Sequence, residues 1–429
     1  MKLWNKQQTA PLEKQIEHFT VGNDRELDMI LMPYDLLASK AHAQMLAASG
    51  LISTKEADEL IAELNVLQKE YEAGELTIED AFEDMHSKIE YELTQRLGEV
   101  GKKIHTARSR NDQVLVALQL YQKEELERIK DKVFQLFELL LDLAQKHANT
   151  LLPGYTHMQV AMPSSFGLWF SAYAELLIDD LSLLNAALEV TDQNPLGSAA
   201  GYGSSFPIDR DLTTELLGFG EMKVNVVAAQ LGRGRVERTS STALAALGST
   251  WSKLSHDICQ YLSQNYAFIS FPDSLTTGSS IMPHKKNPDL FELLRAKGNA
   301  LQQLPFLMGS LTQNLSSGYH RDLQLLKGPL LEGISSCQDS LDILLFALPQ
   351  IEVNSAILAD ERYRYLFSVD TLNEMVKKGI PFREAYQQMG QAIADGTYTP
   401  KTDLEHSHVG SLGQLALDRI REKMAKRMA

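Results

Sequence analysis

Apolar positions recur along this chain at the spacing of helices, and runs that alternate apolar and polar, as a half-buried strand would, are scarce. The first hundred residues predict shorter helices over 27–48, 54–70 and 82–97, with Ser53-Thr54 as the cap of the second and Glu56 in its first turn. The middle of the chain is different. Residues 113–148 contain no Pro and no Gly, and residues 164–192 are interrupted only by Gly167. Further helical runs cover 239–269, 288–312 and 325–348. Each is roughly 25–35 residues, about 40–50 Å at the helical rise, which is long for a globular protein.

In one of these rods Val133, Phe134, Leu136, Phe137, Leu139, Leu140, Leu141 and Leu143 cover most faces. A helix that is apolar nearly all round must be buried nearly all round. Rods of this kind in a single layer would leave faces bare, so the pattern predicts packing against the same rods of other subunits, an obligate homo-oligomer. Past residue 352 the pattern returns to short, charged helices. Residues 415–428 form a basic amphipathic one that reads as a solvated terminal helix.

Length and composition narrow the class. A chain of 429 residues exceeds the size at which one core stops growing. With 44% apolar residues it has the material for a large core. The net charge of −15 argues against nucleic acid as a partner, since phosphate binding needs clustered cations. A cationic pocket inside an acidic shell can still hold a small anion. Cys259 and Cys337 form no metal-binding pair and read as two buried, reduced thiols. The stretch Met1–Lys6 lacks the apolar run of a signal peptide, and no uncharged stretch is long enough to span a bilayer, so the expected location is the cytoplasm, with no membrane partner.

Four polar segments interrupt the rods. The first, His105 to Asp112, taken alone is a helix start capped by Asn111 or Asp112 with two solvated arginines, or a carboxylate clamp of Arg and Asn. The second, Pro153 to Gln159, carries His157 in a loop between two helices; as a catalyst it needs a carboxylate partner. The third, Gly278 to Asp289, is the most informative. Asn287 reads as an N-cap and Pro288 as the first helical residue, so the next helix aims its free N–H groups back at the loop. With Lys285 and Lys286 added, the loop is an anion site that would also stabilise a serine alkoxide. Gly278 and two serines give it freedom to close over a ligand. The fourth runs from Gly318 to Lys327, where Tyr319, Gln324 and Lys327 are spaced to hold a carboxylate. Gly201 to Phe206 and Gly232 to Arg235 are not phosphate loops, and His406 and His408 read as solvated.

The G-S-S-x-M-P-x-K-x-N run at 278–287 resembles the signature of the fumarase/aspartase superfamily of lyases. Within it, H-T-x-R-S-R-N-D at 105–112, G-Y-T-H-x-Q at 154–159, K-K-N-P-D at 285–289, and Tyr319 with Asp322-Leu323-Gln324 and Lys327 are similar to the argininosuccinate lyase family. The resemblance runs from about Leu3 past Phe382. It implies an all-α subunit of three domains, here 1–107, 108–351 and 352–429. The long helices of four subunits would form a twenty-helix core, with active sites shared between subunits. It implies release of fumarate by anti elimination, without cofactor or metal.

Carried over by motif, His157 is an acid/base residue with Glu292 as its partner. Ser279 is the other, supported by Lys285 and Asn287. Ser39, Asn111, Thr156, Tyr319, Gln324 and Lys327 match substrate contacts, and Ser109, Arg110, His86 and Arg238 join them. Departures are Trp4-Asn5-Lys6 for W-G-G-R-F, Ala38-Ser39 for Gly-Ser, and Glu237-Arg238-Thr239 for acid-Arg-Asp, behind the unusual Gly232-Arg233-Gly234-Arg235. His284 stands where Gln is common and is shared with the adenylosuccinate lyase family, which remains an alternative, as does a catalytically silent structural member.

Overall fold

The computed structural model describes residues 11–401, 404 and 406–428, so the expectations for Trp4 and the Met1–Lys6 stretch lie outside the described residues. Helices dominate, and no helix among the described residues is long and apolar enough to cross a membrane. The chain divides into two compact units. One comprises Met1–Lys130, Leu183–Ala246 and Ala300–Cys337; the other comprises Asp131–Ser182, Leu247–Asn299 and Gln338–Ala429.

The main helices are α1 (Asp24–Ala48), α2 (Thr54–Glu72), α3 (Met85–Leu97), α4 (Arg110–Lys146), α5 (Phe166–Thr191), α6 (Arg235–Leu262), α7 (Asp289–Leu301), α8 (Leu304–Leu311), α9 (Lys327–Ala347) and α10 (Leu417–Met428). The expected cap of α2 is present as a reciprocal box: Glu56 N–H donates to Ser53 Oγ at 3.3 Å, and Ser53 N–H donates to Glu56 Oε2 at 2.9 Å. The single run expected over 288–312 is instead broken into α7 and α8. Pro305 lacks an N–H, and its ring clashes with the preceding turn, so the helix restarts with Pro in its first turn.

In the first unit α1 packs against α2 and α3. Its buried polar residues tie it to other elements. Asp35 Oδ2 meets His86 Nδ1 at 3.0 Å, and His42 Nε2 donates to the Thr106 carbonyl at 2.8 Å. Burial, helped by the Arg108 charge, pushes the His42 imidazole from 6.5 down to about 3. The unfolded chain therefore takes up that proton first on acidification. The stabilising contribution is complete above pH 6.5 and is lost as pH falls toward 3, on the order of 4–5 kcal/mol in all. We expect His42→Gln, which keeps a donor for Thr106, to lessen the loss of stability between pH 6.5 and 5 by about 2 kcal/mol. Urea titrations at the two pH values measure this, and an unchanged acid slope would acquit His42.

In the second unit Asp257 accepts from Trp169 Nε1 at 3.0 Å and Tyr173 Oη at 2.6 Å, joining α5 to α6. The terminal helix is docked rather than solvated. Leu417, Ile420 and Met424 are buried, and Arg421 and Lys423 pair with Glu138 and Glu175. His406 is likewise not free in solvent, since its Nε2 lies 2.7 Å from Asp370 Oδ1. Both cysteines are free thiols; Cys337 is buried, whereas Cys259 is only half-buried.

Six of the eight residues of the all-round apolar run on α4 are buried within the chain, and Phe134 and Leu139 are not. The bare apolar surface on the rods sits elsewhere. Leu293 on α7, Phe306 on α8 and Phe346 on α9 are each more than 60% exposed.

Candidate active site

The first unit contains a cavity of about 630 Å³ that gathers seven of the expected site residues: His86, Ser109, Arg110, Asn111, Tyr319, Gln324 and Lys327. Local chain chemistry places them. Ser109, not Asn111 or Asp112, caps α4: its Oγ accepts from Asn111 N–H at 3.3 Å, and its own N–H donates to Asp112 Oδ1 at 2.9 Å. The fully buried Asp112 also accepts from Gly197 and Ala199 N–H at 3.1 and 2.8 Å. This carboxylate fixes the helix start, so Arg110 and Asn111 in the first turn face the cavity. Ser39 offers no surface to a ligand here; it is fully buried and accepts from Arg108 Nη1 at 3.0 Å.

The cavity is rich in carboxylates that the sequence reading passed over: Asp24, Asp28, Glu83, Asp84 and Glu90. Most of its cations are already engaged. Arg110 pairs with Asp84 at 2.9 Å and Arg321 with Glu83 at 2.9 Å; Lys327 Nζ lies 2.7 Å from Asp24 and 2.6 Å from Asp28. Burial alone would lower the Lys327 ammonium, but the two aspartates hold it above its ordinary value. His86 is raised in the same way, since the Asp35 carboxylate outweighs burial. Its cationic form is thus favoured over that of a free imidazole. Asp84 doubles as the cap of α3, accepting from Ser87 N–H at 2.7 Å. Reading Asp84 as that cap would have flagged it.

The remaining expected residues lie in the second unit, apart from Arg238, which lines a separate cavity. Residues 153–159 are not a plain loop. They belong to an antiparallel hairpin, β1 (Leu151–Thr156) with β2 (Gln159–Ser165), in which Thr156 pairs with Gln159. His157 and Met158 are its two-residue tip, both left-handed at φ 53° and 61°. Such turns ordinarily take Asn and Gly. A His and a Met held there carry strain of a kind that gathers at functional sites. Gly154 permits the hairpin's bulge, because a Cβ there would stand 2.7 Å from the Met162 carbonyl. The His157 side chain is exposed and makes no hydrogen bond to the described residues.

A second, smaller hairpin carries the serine. β3 (Thr277–Gly278) pairs with β4 (Lys286–Asn287), so residues 279–285 form its loop. Asn287 therefore sits in a strand rather than capping a helix. Its Nδ2 reaches Thr277 Oγ1 at 3.4 Å, and the Pro288 carbonyl receives the first N–H groups of α7. Ser279 Oγ accepts from Ile281 and Met282 N–H at 3.3 and 3.1 Å. The two lysines separate here: Lys286 is paired with Asp273, whereas Lys285 is exposed and has no ion pair among the described residues. Glu292 is exposed on α7, with Arg295 Nη2 at 4.0 Å, and makes no contact with His157 within the chain.

Comparison with known proteins places the fold first. A variant EDDS lyase with bound fumarate superposes with a TM-score of 0.74 at 22% identity, over 98% of this chain and 81% of that one. The class II fumarase of Schistosoma mansoni gives 0.74 at 17%, over 89% and 88%. A family model described as Lyase matches residues 4–302. Fold and family model together define a helical lyase.

Among full-length relatives, the argininosuccinate lyase of Bacteroides thetaiotaomicron is 50% identical over 419 residues, 98% of this chain and 94% of that protein. That of Thermotoga neapolitana is 40% identical over 390 residues, 91% and 98%. The chain belongs to the argininosuccinate lyase family.

Proposed function

We infer that this protein cleaves argininosuccinate to arginine and fumarate by removing a proton beside a carboxylate and expelling the guanidino nitrogen from the neighbouring carbon. The observation that carries the reading is the near full-length 50% identity, joined to a cavity that assembles seven of the expected site residues in one place. Loss of the proton leaves an aci-carboxylate bearing two negative charges, a species inaccessible without fixed donors and cations around it.

Ser279 is the base in this reading. Its oxygen already accepts two backbone N–H bonds, which favour an alkoxide, and the ammonium of Lys285, which has no ion pair among the described residues, adds to the same field. Asn287 stands at the base of the same hairpin. His157, with Glu292 as partner, protonates the departing nitrogen from the opposite face. Ser109, Arg110, Asn111, Tyr319, Gln324 and Lys327 bind substrate, with Thr156, His86 and Arg238. Ser39 contributes through Arg108. No cofactor or metal enters this scheme.

The subunit is read as three domains, 1–107, 108–351 and 352–429, acting in the cytoplasm as a homotetramer around a twenty-helix core. Two features support shared sites: His157 and Glu292 find no partner in each other within one chain, and the rods expose Leu293, Phe306 and Phe346.

The test is ultraviolet detection of fumarate after incubation with argininosuccinate and, separately, adenylosuccinate. Turnover of only the adenylate would overturn the substrate assignment. Shared sites predict that mixing inactive His157→Asn and Ser279→Ala proteins, after dissociation and reassembly, restores part of the activity. No recovery in a properly reassembled oligomer would count against sharing.

A further inference from the structure

The departure at Gly232-Arg233-Gly234-Arg235 is built into the fold. Gly234 adopts φ 82°, and a Cβ there would stand 2.4 Å from Thr312 Cγ2, so glycine is required at this turn. Its N–H donates to the buried Glu237 carboxylate at 2.5 Å. The turn sends Arg233 inward and sets Arg235 at the first position of α6. Arg233 is 6% exposed. Its guanidinium lies 5.9 Å from the Tyr319 ring centroid, and Nη2 donates to the Leu323 carbonyl at 3.3 Å. Nε has no hydrogen-bond partner among the described residues, and its carboxylate neighbour, Glu237 Oε1, is 3.9 Å away.

Arg233 lines two cavities. One is the acid-rich cavity described above. The other, about 470 Å³, is lined also by Arg235, Arg238, Thr239 and Ser316, and no carboxylate among the described residues lines it. Arg235 and Arg238 form no ion pair with any described residue. Charge is thus segregated between adjoining spaces. In one, arginines and a lysine are spent on aspartates and glutamates; in the other, Arg233 has only the distant Glu237 behind it, and the Arg235 and Arg238 guanidiniums face an opening with no carboxylate of the described residues to pair them. An acid-rich space suits the cationic groups of a substrate that carries both signs, beside the carboxylate that reaches Lys327, and an arginine-lined space suits a further carboxylate.

We propose that Arg233, Arg235 and Arg238 form a carboxylate-binding chamber that takes one anionic end of the substrate, with Arg233 as the wall common to both cavities. The identity of that substrate rests on the functional reading above; the chamber's affinity for an oxyanion does not. Guanidinium pairs with carboxylate and with phosphate in the same two-pronged way, so inorganic phosphate is a usable probe.

Arg235→Gln is the variant of choice, because Arg235 is exposed whereas replacing Arg233 would strand the buried Glu237. Phosphate binding is measured by calorimetric titration of the intact oligomer, and KM and kcat are measured with argininosuccinate. We expect KM to rise about tenfold, the scale of one charge-assisted hydrogen bond, with a smaller change in kcat. Phosphate should compete with argininosuccinate in the wild type and bind the variant more weakly. If phosphate distinguishes the two proteins while KM is unchanged and inhibition is not competitive, the chamber holds a free oxyanion and the assignment to the substrate is overturned. If phosphate binds both equally, or neither, and KM is unchanged, the chamber itself is overturned. A wild type that releases no fumarate fails the functional reading separately, and the phosphate titration then decides the chamber alone.

Discussion

Ser279→Ala is expected to lower kcat for argininosuccinate by ~10²–10⁴-fold while leaving the oligomer and its helicity intact, and His157→Asn should do the same. The reasoning is local. Ser279 sits on a seven-residue loop whose ends are pinned by the pairing of Thr277 with Asn287 and Gly278 with Lys286. Deleting its hydroxyl removes an acceptor for two N–H groups at a partly exposed position, where water replaces it. His157 is exposed at a hairpin tip and makes no hydrogen bond to the described residues, so its loss takes no such contact from them. A large fall in kcat at constant stability is therefore the mark of chemistry. Steady-state kinetics with circular dichroism and light scattering separate the cases. Normal turnover in both variants would place the acid and base elsewhere.

Some of this site was legible in the chain and some was not, for physical reasons that differ by residue. The long helices showed because helical periodicity is sustained over runs in which Gly and Pro are few, and wholly absent from residues 113–148, and the Ser53–Glu56 box showed because capping is a local interaction. The break at Pro305 was present in the sequence but was outweighed by the periodicity around it. The His157 hairpin was hidden. Pro153, Gly154 and Pro163 look like loop residues, and neither member of its turn is the Asn or Gly that would announce left-handed backbone. Lys285 and Lys286 are indistinguishable as adjacent letters. Asp273, thirteen residues before Lys286, neutralises one and leaves the other. Ser109 displaced Asn111 and Asp112 as the cap of α4 because Asp112 is drawn inward to Gly197 and Ala199, a contact no local pattern contains.

Lys327→Met should destabilise the folded subunit by roughly 3–5 kcal/mol, the usual penalty for stripping one partner from a buried ion pair. Lys327 joins the start of α9 to two aspartates of α1, and its side chain is 3% exposed, Asp28 2% and Asp24 16%. Asp28 also accepts from Met85 N–H at 3.1 Å, which anchors the first residue of α3. One ammonium thus holds three helix starts together. Without it, Asp28 is a carboxylate in a dry site, a group whose pKa burial already raises.

The double variant Lys327→Met with Asp28→Asn removes the stranded charge and should regain a substantial part of the stability, measured by urea unfolding at fixed protomer concentration. Activity should not return with it, because a substrate carboxylate reaching Lys327 needs the ammonium itself. If the double variant recovers both stability and turnover, Lys327 is a strut and not a ligand. If Lys327→Met alone unfolds at the wild-type urea midpoint, the three-way junction is not what holds α1, α3 and α9 in register.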